Sequence, residues 1–442
     1  MILNQRYYLT YLLFGAISLI SAQEKELSLD ECIRQALEKN GAILMADADV
    51  ELSYRKSEEI TAKLYPQLSA GADYRYYTDL PYQLMPAAVF GGPPGVYKEA
   101  QFGVPHVLNS SIQGTMPLYN QTLLSGRSTA KIGTELMEVQ SRKTKESVVI
   151  DISNIYFNAQ IVANQIMYLQ GNIKNLDQLI ATTILLQQNN MARSTDVDKL
   201  KLQKSILNTQ LTSAETNNSQ LIGKLKYLIG LEQDDTLEIQ TSILNEMPGD
   251  SGDSNYSTDV LLARKMREMV QSEFDGINAG RYPSLALYGL YGSNGYATTG
   301  EKSFQKFFPV SFIGVQLSIP IFDGGTISAK AEQKRLELHK TEIKEKLAID
   351  KNGMDRLNTQ NQLRSQRKTI SMQEENVLLA EKLYEQTMRQ FREGVVGIVD
   401  VLQAESAVRD AQTNYLAALV KMKMIDLEWK YATGNLLERK RQ

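Results

Sequence analysis

Two aspartates stand at equivalent places in this chain. Asp196 lies in Thr195-Asp196-Val197 and Asp400 in Val399-Asp400-Val401, 204 positions later. Each follows a turn-forming stretch and precedes a long run of apolar periodicity. A carboxylate there has two physical uses. It can cap the first turn of a helix, worth about 1 kcal/mol, or, repeated around an axis in a narrow passage, it can collect cations. Other chemistry has little footing. His106 and His339 are far apart, and Cys32 is the single cysteine, so the chain can form neither an internal disulfide nor a thiolate metal cluster. No nucleophile with a partner base, phosphate loop or metal-ligand spacing appears, and Gly91-Gly92-Pro93-Pro94-Gly95 is too proline-rich to cradle a phosphate. The sequence predicts no enzyme and no cofactor. With 48 basic against 51 acidic residues, it also lacks the basic excess of a nucleic-acid binder.

The aspartates belong to a duplication. Leu64-Tyr65-Pro66-Gln67-Leu68 returns as Arg281-Tyr282-Pro283-Ser284-Leu285, and Pro117-Leu118-Tyr119-Asn120 as Pro320-Ile321-Phe322-Asp323, at offsets of 217 and 203. A kept order and nearly constant offsets argue for two units of roughly 200 residues. Each unit reads as strand, strand and two very long helices. The expected partition starts with a signal peptide at 1–22 and a first repeat at 23–245. That repeat has an entry helix, strands near 66–77 and 110–119, and helices near 120–188 and 195–231. A linker at 246–258 leads to a second repeat at 259–442, with strands near 283–291 and 310–322 and helices near 324–392 and 399–433. The signal rests on Arg6, an apolar run at 9–20, and Ala22 before Gln23. Cys32 falls inside a helical pattern beyond that site, so no lipid anchor is expected. No later stretch is apolar enough for a transmembrane helix.

The helices carry countable seams. Val401, Val408, Tyr415, Met422 and Trp429 fall seven apart, as do Ala404, Ala411, Ala418, Ile425 and Ala432 between them. That is a coiled-coil seam about 48 Å long. In the first copy Val197, Leu200, Leu207, Leu211, Ala214, Leu221, Leu225 and Leu228 fit, interrupted by Lys204 and Asn218. In the second, Leu336, Ile343, Leu347, Met354 and Leu357 fit, whereas residues 360–369 are almost wholly polar and are expected to face water. Neither 120–231 nor anything after Pro320 contains a proline. Helices of that length imply a rod or a tube wall.

The strands alternate. Leu68, Ala70, Ala72, Tyr74 and Tyr76 oppose Gln67, Ser69, Gly71, Asp73 and Arg75, and Ile112, Gly114, Met116 and Leu118 oppose Ser111, Gln113 and Thr115. Ile313, Val315, Leu317, Ile319 and Ile321 oppose Gly314, Gln316 and Ser318. Tilted membrane strands and a half-buried soluble sheet both fit this pattern. Long polar loops at 78–106 and 292–308 lie at one end, and the strands run directly into helices at the other. Four strands close no barrel, and lipid tolerates no open edge. Several copies must complete a membrane version, and three give twelve strands.

The chain resembles the TolC-like outer-membrane efflux protein family. The likeness rests on the entry stretch from Leu27 to Leu37, on Tyr65-Pro66-Gln67-Leu68, on Met116-Pro117-Leu118-Tyr119-Asn120, on Pro320-Ile321-Phe322-Asp323-Gly324-Gly325 and on the residues from Gly394 to Gln403. It implies a mainly α chain with transmembrane β-structure, four strands per protomer in a trimeric twelve-stranded barrel continuous with a periplasmic coiled-coil tunnel. It implies a passive outer-membrane exit duct for efflux or type I secretion in a Gram-negative bacterium. Its partners are two sister chains, outer-membrane lipid, a periplasmic adaptor and an inner-membrane transporter. The family narrows its tunnel with inward aspartates where the helix pairs turn, and Asp400 matches the first of them. Gln403 stands where a second acid is expected, and Val396 where a basic lock residue is expected. Arg193, near Asp196, is a substitute lock. The resemblance makes Ala192, Arg193, Ser194 and Thr195, with Gly394, Val395, Val396 and Gly397, the turn tips that meet the adaptor. A soluble periplasmic coiled-coil scaffold is the alternative reading.

Overall fold

The computed structural model describes residues 26–190, 192–242, 256–300, 304 and 306–437. The expected signal peptide and most of the expected linker lie outside these residues. Seven helices and six strands are described. Short helices α1 (Leu29–Lys39) and α2 (Gly41–Ala62) precede strands β1 (Gln67–Tyr76), β2 (Tyr82–Pro86), β3 (Tyr97–Gln101) and β4 (His106–Tyr119). Helices α3 (Gln121–Gln188) and α4 (Ser194–Ile229) close the first copy. The second copy runs through α5 (Thr258–Ala279), β5 (Ser284–Ala297), β6 (Phe307–Ser318), α6 (Thr326–Arg392) and α7 (Ile398–Ala432). No described helix is long and apolar enough to cross a membrane.

The chain divides into two compact units. One takes residues 49–138 and 262–346, and the other takes the rest. In the first unit β1, β4, β5 and β6 form one antiparallel sheet in that order, so the two copies join through the β4–β5 ladder. Register sets the faces. Leu68, Ala70, Ala72, Tyr74 and Tyr76 pair with Gly114, Ile112, Ser110, Leu108 and His106. That face continues through Leu287 and Tyr291 on β5 to Val315 and Ser311 on β6, beside Ile313 and Leu317. Leu68 is 77% exposed and Ile313 84% exposed, so the apolar face has no cover among the described residues. Its loop end is aromatic: Tyr76 stacks on His106 at 4.8 Å, and Tyr74 bonds the same imidazole at 2.7 Å. Pro117 has no N–H to give the ladder, and the register shifts just there. β1 and β6 are the outer strands, each with one unpaired edge.

Gly292 shows how closely β4 and β5 approach. A Cβ there would lie 2.6 Å from the Ser110 carbonyl oxygen, a backbone atom held in its own ladder. We expect Gly292→Ala to destabilise the folded protein by about 1–3 kcal/mol, read as a lowered urea midpoint.

The other unit is helical. Its upper cluster packs Cys32, Ala36 and Ile43 against Ile152, Tyr156, Leu225 and Ile229. Ser28 and Glu31 form a reciprocal capping box that starts α1, with bonds of 3.3 and 3.0 Å. Burial, with Glu31 nearby, pushes the Cys32 thiol up to about 12, which leaves it protonated and unreactive. A second cluster joins Leu169, Leu176, Leu200, Leu207 and Ala214 to Ile398 and Val401, so the seam residues on α4 and the start of α7 are core. Lys204, which interrupts that seam, reaches Asp177 on α3.

The α6 stripe reads differently from its expectation. Leu336, Ile343, Leu347, Met354 and Leu357 are all exposed, and the polar residues Asn352, Thr359 and Gln366 are buried. The Gln366 amide donates to the Ala418 carbonyl at 2.9 Å, and Asn352 donates to Ala432 at 2.8 Å. Alanine at those α7 positions lets the backbones approach until an amide spans the gap. Residues 360–369 therefore do not simply face water: Gln366, at 6% exposed, belongs to the seam.

Glu146 on α3 is fully buried. Its Oε1 accepts from Thr258 at 2.8 Å and from Arg142 at 3.2 Å, while Oε2 has no partner among the described residues. Burial raises its pKa, partly offset by those two bonds. A carboxyl whose folded pKa is raised holds more protons folded than unfolded. Stability is then lost as pH climbs from the ordinary carboxyl range through the raised value. We expect Glu146→Gln to remove that part of the slope and to raise the thermal midpoint at about pH 8 by about 2 °C or more, measured by circular dichroism.

Candidate functional site

The turn between α3 and α4 and the turn between α6 and α7 are built alike. Asn190 ends the first arm with φ 56°, and Gly394 ends the second with φ 74°. Both are left-handed, and they stand 204 positions apart, like the aspartates. In the second turn the Val395 N–H bonds back to the Gln390 carbonyl at 2.9 Å, closing the end of α6. Three residues past each left-handed position comes an extended helix cap, Arg193 at φ −88°, ψ 150° and Gly397 at φ −88°, ψ 168°. Three residues further stand Asp196 and Asp400.

Neither aspartate is itself the cap residue. Both lie in the third helical position and reach back: Asp196 Oδ2 accepts the Arg193 N–H at 3.2 Å, and Asp400 Oδ2 accepts the Gly397 N–H at 2.9 Å. Each so satisfies one backbone donor that a helix start leaves open. The corresponding expectation of a cap residue is corrected by three positions, because the residues that hold the extended cap conformation are Arg193 and Gly397.

The two carboxylates differ in their surroundings. Asp196 is half-buried, with Oδ1 3.9 Å from Lys199 Nζ. Asp400 is exposed, accepts the Gly397 N–H and has no cationic partner among the described residues. Gln403, one turn on, is exposed and makes no side-chain bond to a described residue. Arg193 is exposed and contributes only its backbone to Asp196, so no guanidinium–carboxylate pair forms among the described residues of this turn.

Packing under the turns is apolar. Val197 and Val401, one residue beyond each aspartate, are buried, as is Ile398. Ile398 and Val401 pack with Tyr384, Met388 and Phe391 from the end of α6. The tips themselves stand clear. Arg193, Ser194, Thr195, Gly394 and Gly397 are exposed, Ala192 and Val396 are half-buried, and Val395 is 69% exposed. Met191 lies outside the described residues. Sequence reasoning did not pair Asn190 with Gly394. The shared offset of 204 was the available signal, but asparagine and glycine share a backbone preference rather than a side chain.

Known proteins resemble this chain in sequence and in fold. Residues 256–427 match the family model described as outer membrane efflux protein. The outer membrane protein TolC of Salmonella enteritidis is 19% identical over 436 residues, covering 96% of this chain and 85% of its own length. The alkaline protease secretion protein AprF of Pseudomonas aeruginosa is 27% identical over 157 residues, 33% of this chain and 32% of that one. Among solved structures, the outer membrane protein VceC of Vibrio cholerae superposes with a TM-score of 0.74 at 14% identity, covering 92% of this chain and 96% of that one.

Proposed function

We infer that this chain, a member of the TolC-like outer-membrane efflux family, supplies one third of the exit duct that such proteins form. The duct conducts cargo outward and performs no chemistry on it. Three copies close a twelve-stranded barrel, the β1 edge of each chain pairing with the β6 edge of the next. One observation carries this reading: a four-stranded sheet with both edges open and an apolar face without cover. Such a sheet aggregates in water and is satisfied in lipid once its edges are paired.

The same assembly accounts for α6. Its stripe of Leu347, Met354 and Leu357, exposed in a single chain, packs on the neighbouring chain's helices while the amide seam holds α7. Asp400 then recurs three times about the axis at the turn end of the helices, as a cation-collecting constriction with Gln403 one turn away. Asp196, half-neutralised by Lys199, serves its helix cap. Arg193, which has no carboxylate partner among the described residues of its own turn, acts as a lock by reaching across a chain boundary. The apolar tip at Val395 and Val396, with Gly394 and Gly397, and its counterpart from Ala192 to Thr195 form the surface for a periplasmic adaptor, which couples the duct to an inner-membrane transporter.

Membrane fractionation tests the reading. The protein should stay with outer membranes through salt and carbonate washes and conduct ions once reconstituted in planar bilayers. Release by carbonate would instead mark a soluble scaffold.

A further inference from the structure

Between β1 and β4 the chain makes a feature that the exit-duct reading leaves unused. β2 and β3 pair into a separate two-stranded sheet, with Tyr82 opposite Gln101, Leu84 opposite Glu99 and Pro86 opposite Tyr97. A single 3-10 turn, Ala87–Phe90, follows β2 and packs Ala87 beneath Gly92. Only Ala87 is buried. Tyr82, Leu84, Val89, Phe90 and Tyr97 are each more than half exposed. An isolated two-stranded hairpin is marginal in water, and this one shows most of its large apolar side chains to solvent. It needs a cover that one chain does not supply.

Position and charge decide what the cover is. The hairpin leaves β1 after Tyr76 and rejoins β4 at His106, beyond the stacked aromatic end of the apolar sheet face, so lipid tails do not reach it. Lys98 is the one cation in residues 77–105, against Asp79 and Glu99, so a phosphate-rich lipid surface finds little to bind. What remains within reach is the same hairpin on a sister chain. It hangs from β1, the edge strand at which the exit-duct reading seats a neighbour. Twelve strands about 4.8 Å apart and tilted about 40° make a wall about 12 Å from the axis. Five-residue arms of about 3.3 Å per residue are about 17 Å long, enough to reach that axis.

We propose that the three β2–β3 hairpins of an assembled duct meet over the mouth of the barrel at the loop end of the sheet through Tyr82, Leu84, Phe90 and Tyr97, and form a constriction there. This rests on the exit-duct reading, since it requires a trimer.

The test uses the full chain in detergent and in planar bilayers. Native mass first establishes the number of chains. In a trimer, Phe90→Cys oxidised with copper phenanthroline should give disulfide-linked chain pairs, with single-channel conductance falling at least twofold and recovering on reduction. Wild type, with only buried Cys32, should show neither. A combined Tyr82→Ser, Leu84→Ser, Phe90→Ser variant should raise conductance at least twofold. A trimer with no linked pairs and unchanged conductance in both variants overturns this constriction and leaves the duct standing. A monomeric particle overturns both.

Discussion

Asp400→Asn raises at least tenfold the trivalent-cation concentration needed for half block of conductance. The reasoning is electrostatic. A unit charge pair at about 4 Å is worth roughly 4 kcal/mol near a protein surface, and one substitution in a trimer removes three such charges from one ring. Tenfold corresponds to only about 1.4 kcal/mol, so the expectation is a lower bound. Asparagine is chosen because its amide oxygen still accepts the Gly397 N–H that Asp400 accepts at 2.9 Å. The helix start is thus kept, and the loss stays below about 1 kcal/mol. Asp196→Asn is the matched comparison: its carboxylate already faces Lys199, so block should change little. Equal block in wild type and Asp400→Asn would remove Asp400 from the constriction and leave it a helix-start residue alone. Gln403→Glu should add a second acidic turn and strengthen block in the same assay.

The second large effect is on assembly. Leu347→Glu combined with Met354→Glu should leave the helical content of the chain intact and weaken trimer association by at least two orders of magnitude. In a lone chain these side chains are 62% and 55% exposed, so changing them costs the single-chain fold little. In a trimer each is covered. Covering a Leu or Met side chain is worth about 1.5–3 kcal/mol, and the carboxylates add a desolvation penalty. Losing about 3 kcal/mol at each contact already corresponds to more than a hundredfold in association. Circular dichroism and sedimentation in detergent read the two halves of the expectation separately. A trimer that persists unchanged would mean that the α6 stripe is not a subunit contact.

Legibility in the sequence followed how many partners an element has. The α4 and α7 seams each serve one packing direction, and counting sevens found Leu200, Leu207, Val401 and Met422, all of them buried. Helix α6 is mixed. Ile370 clusters with Ala418, Leu419 and Met422 of α7, whereas Leu336, Ile343, Leu347, Met354 and Leu357 are exposed and Asn352 and Gln366 bond α7 carbonyls, so over that stretch a rule that equates apolar with buried selects the wrong face. The signal existed in Asn352, Thr359 and Gln366 at seven-residue spacing, but polar side chains at seam positions become interpretable only when the opposing alanines are seen to admit them. Alternation in β1 and β4 was readable because their two faces differ in polarity. β5 was less so, since Tyr288, Leu290 and Tyr296 fall on the face opposite Tyr291. Residues 78–106 were read as loop from their prolines and glycines, yet Tyr82–Pro86 and Tyr97–Gln101 pair across that same punctuation. Helices α2 and α5 went unread. α2 has Ile43 as its single buried side chain and little periodicity to detect. In α5, Val260 and Val270 are buried and offered a weak stripe next to a segment read as linker. At the turns the aspartates were found and their place was misjudged, because an acid just inside a helix and one capping it are three residues apart and share a composition.

The central claim is that this chain brings an incomplete sheet to the membrane and completes it only with sister chains. Native mass spectrometry of the particle extracted from outer membranes in mild detergent tests that most directly. A mass of three chains, dissociating to one on denaturation, is the predicted result. A particle of one chain that keeps its full β-structure and helicity, whether in detergent or in plain buffer, would contradict the account.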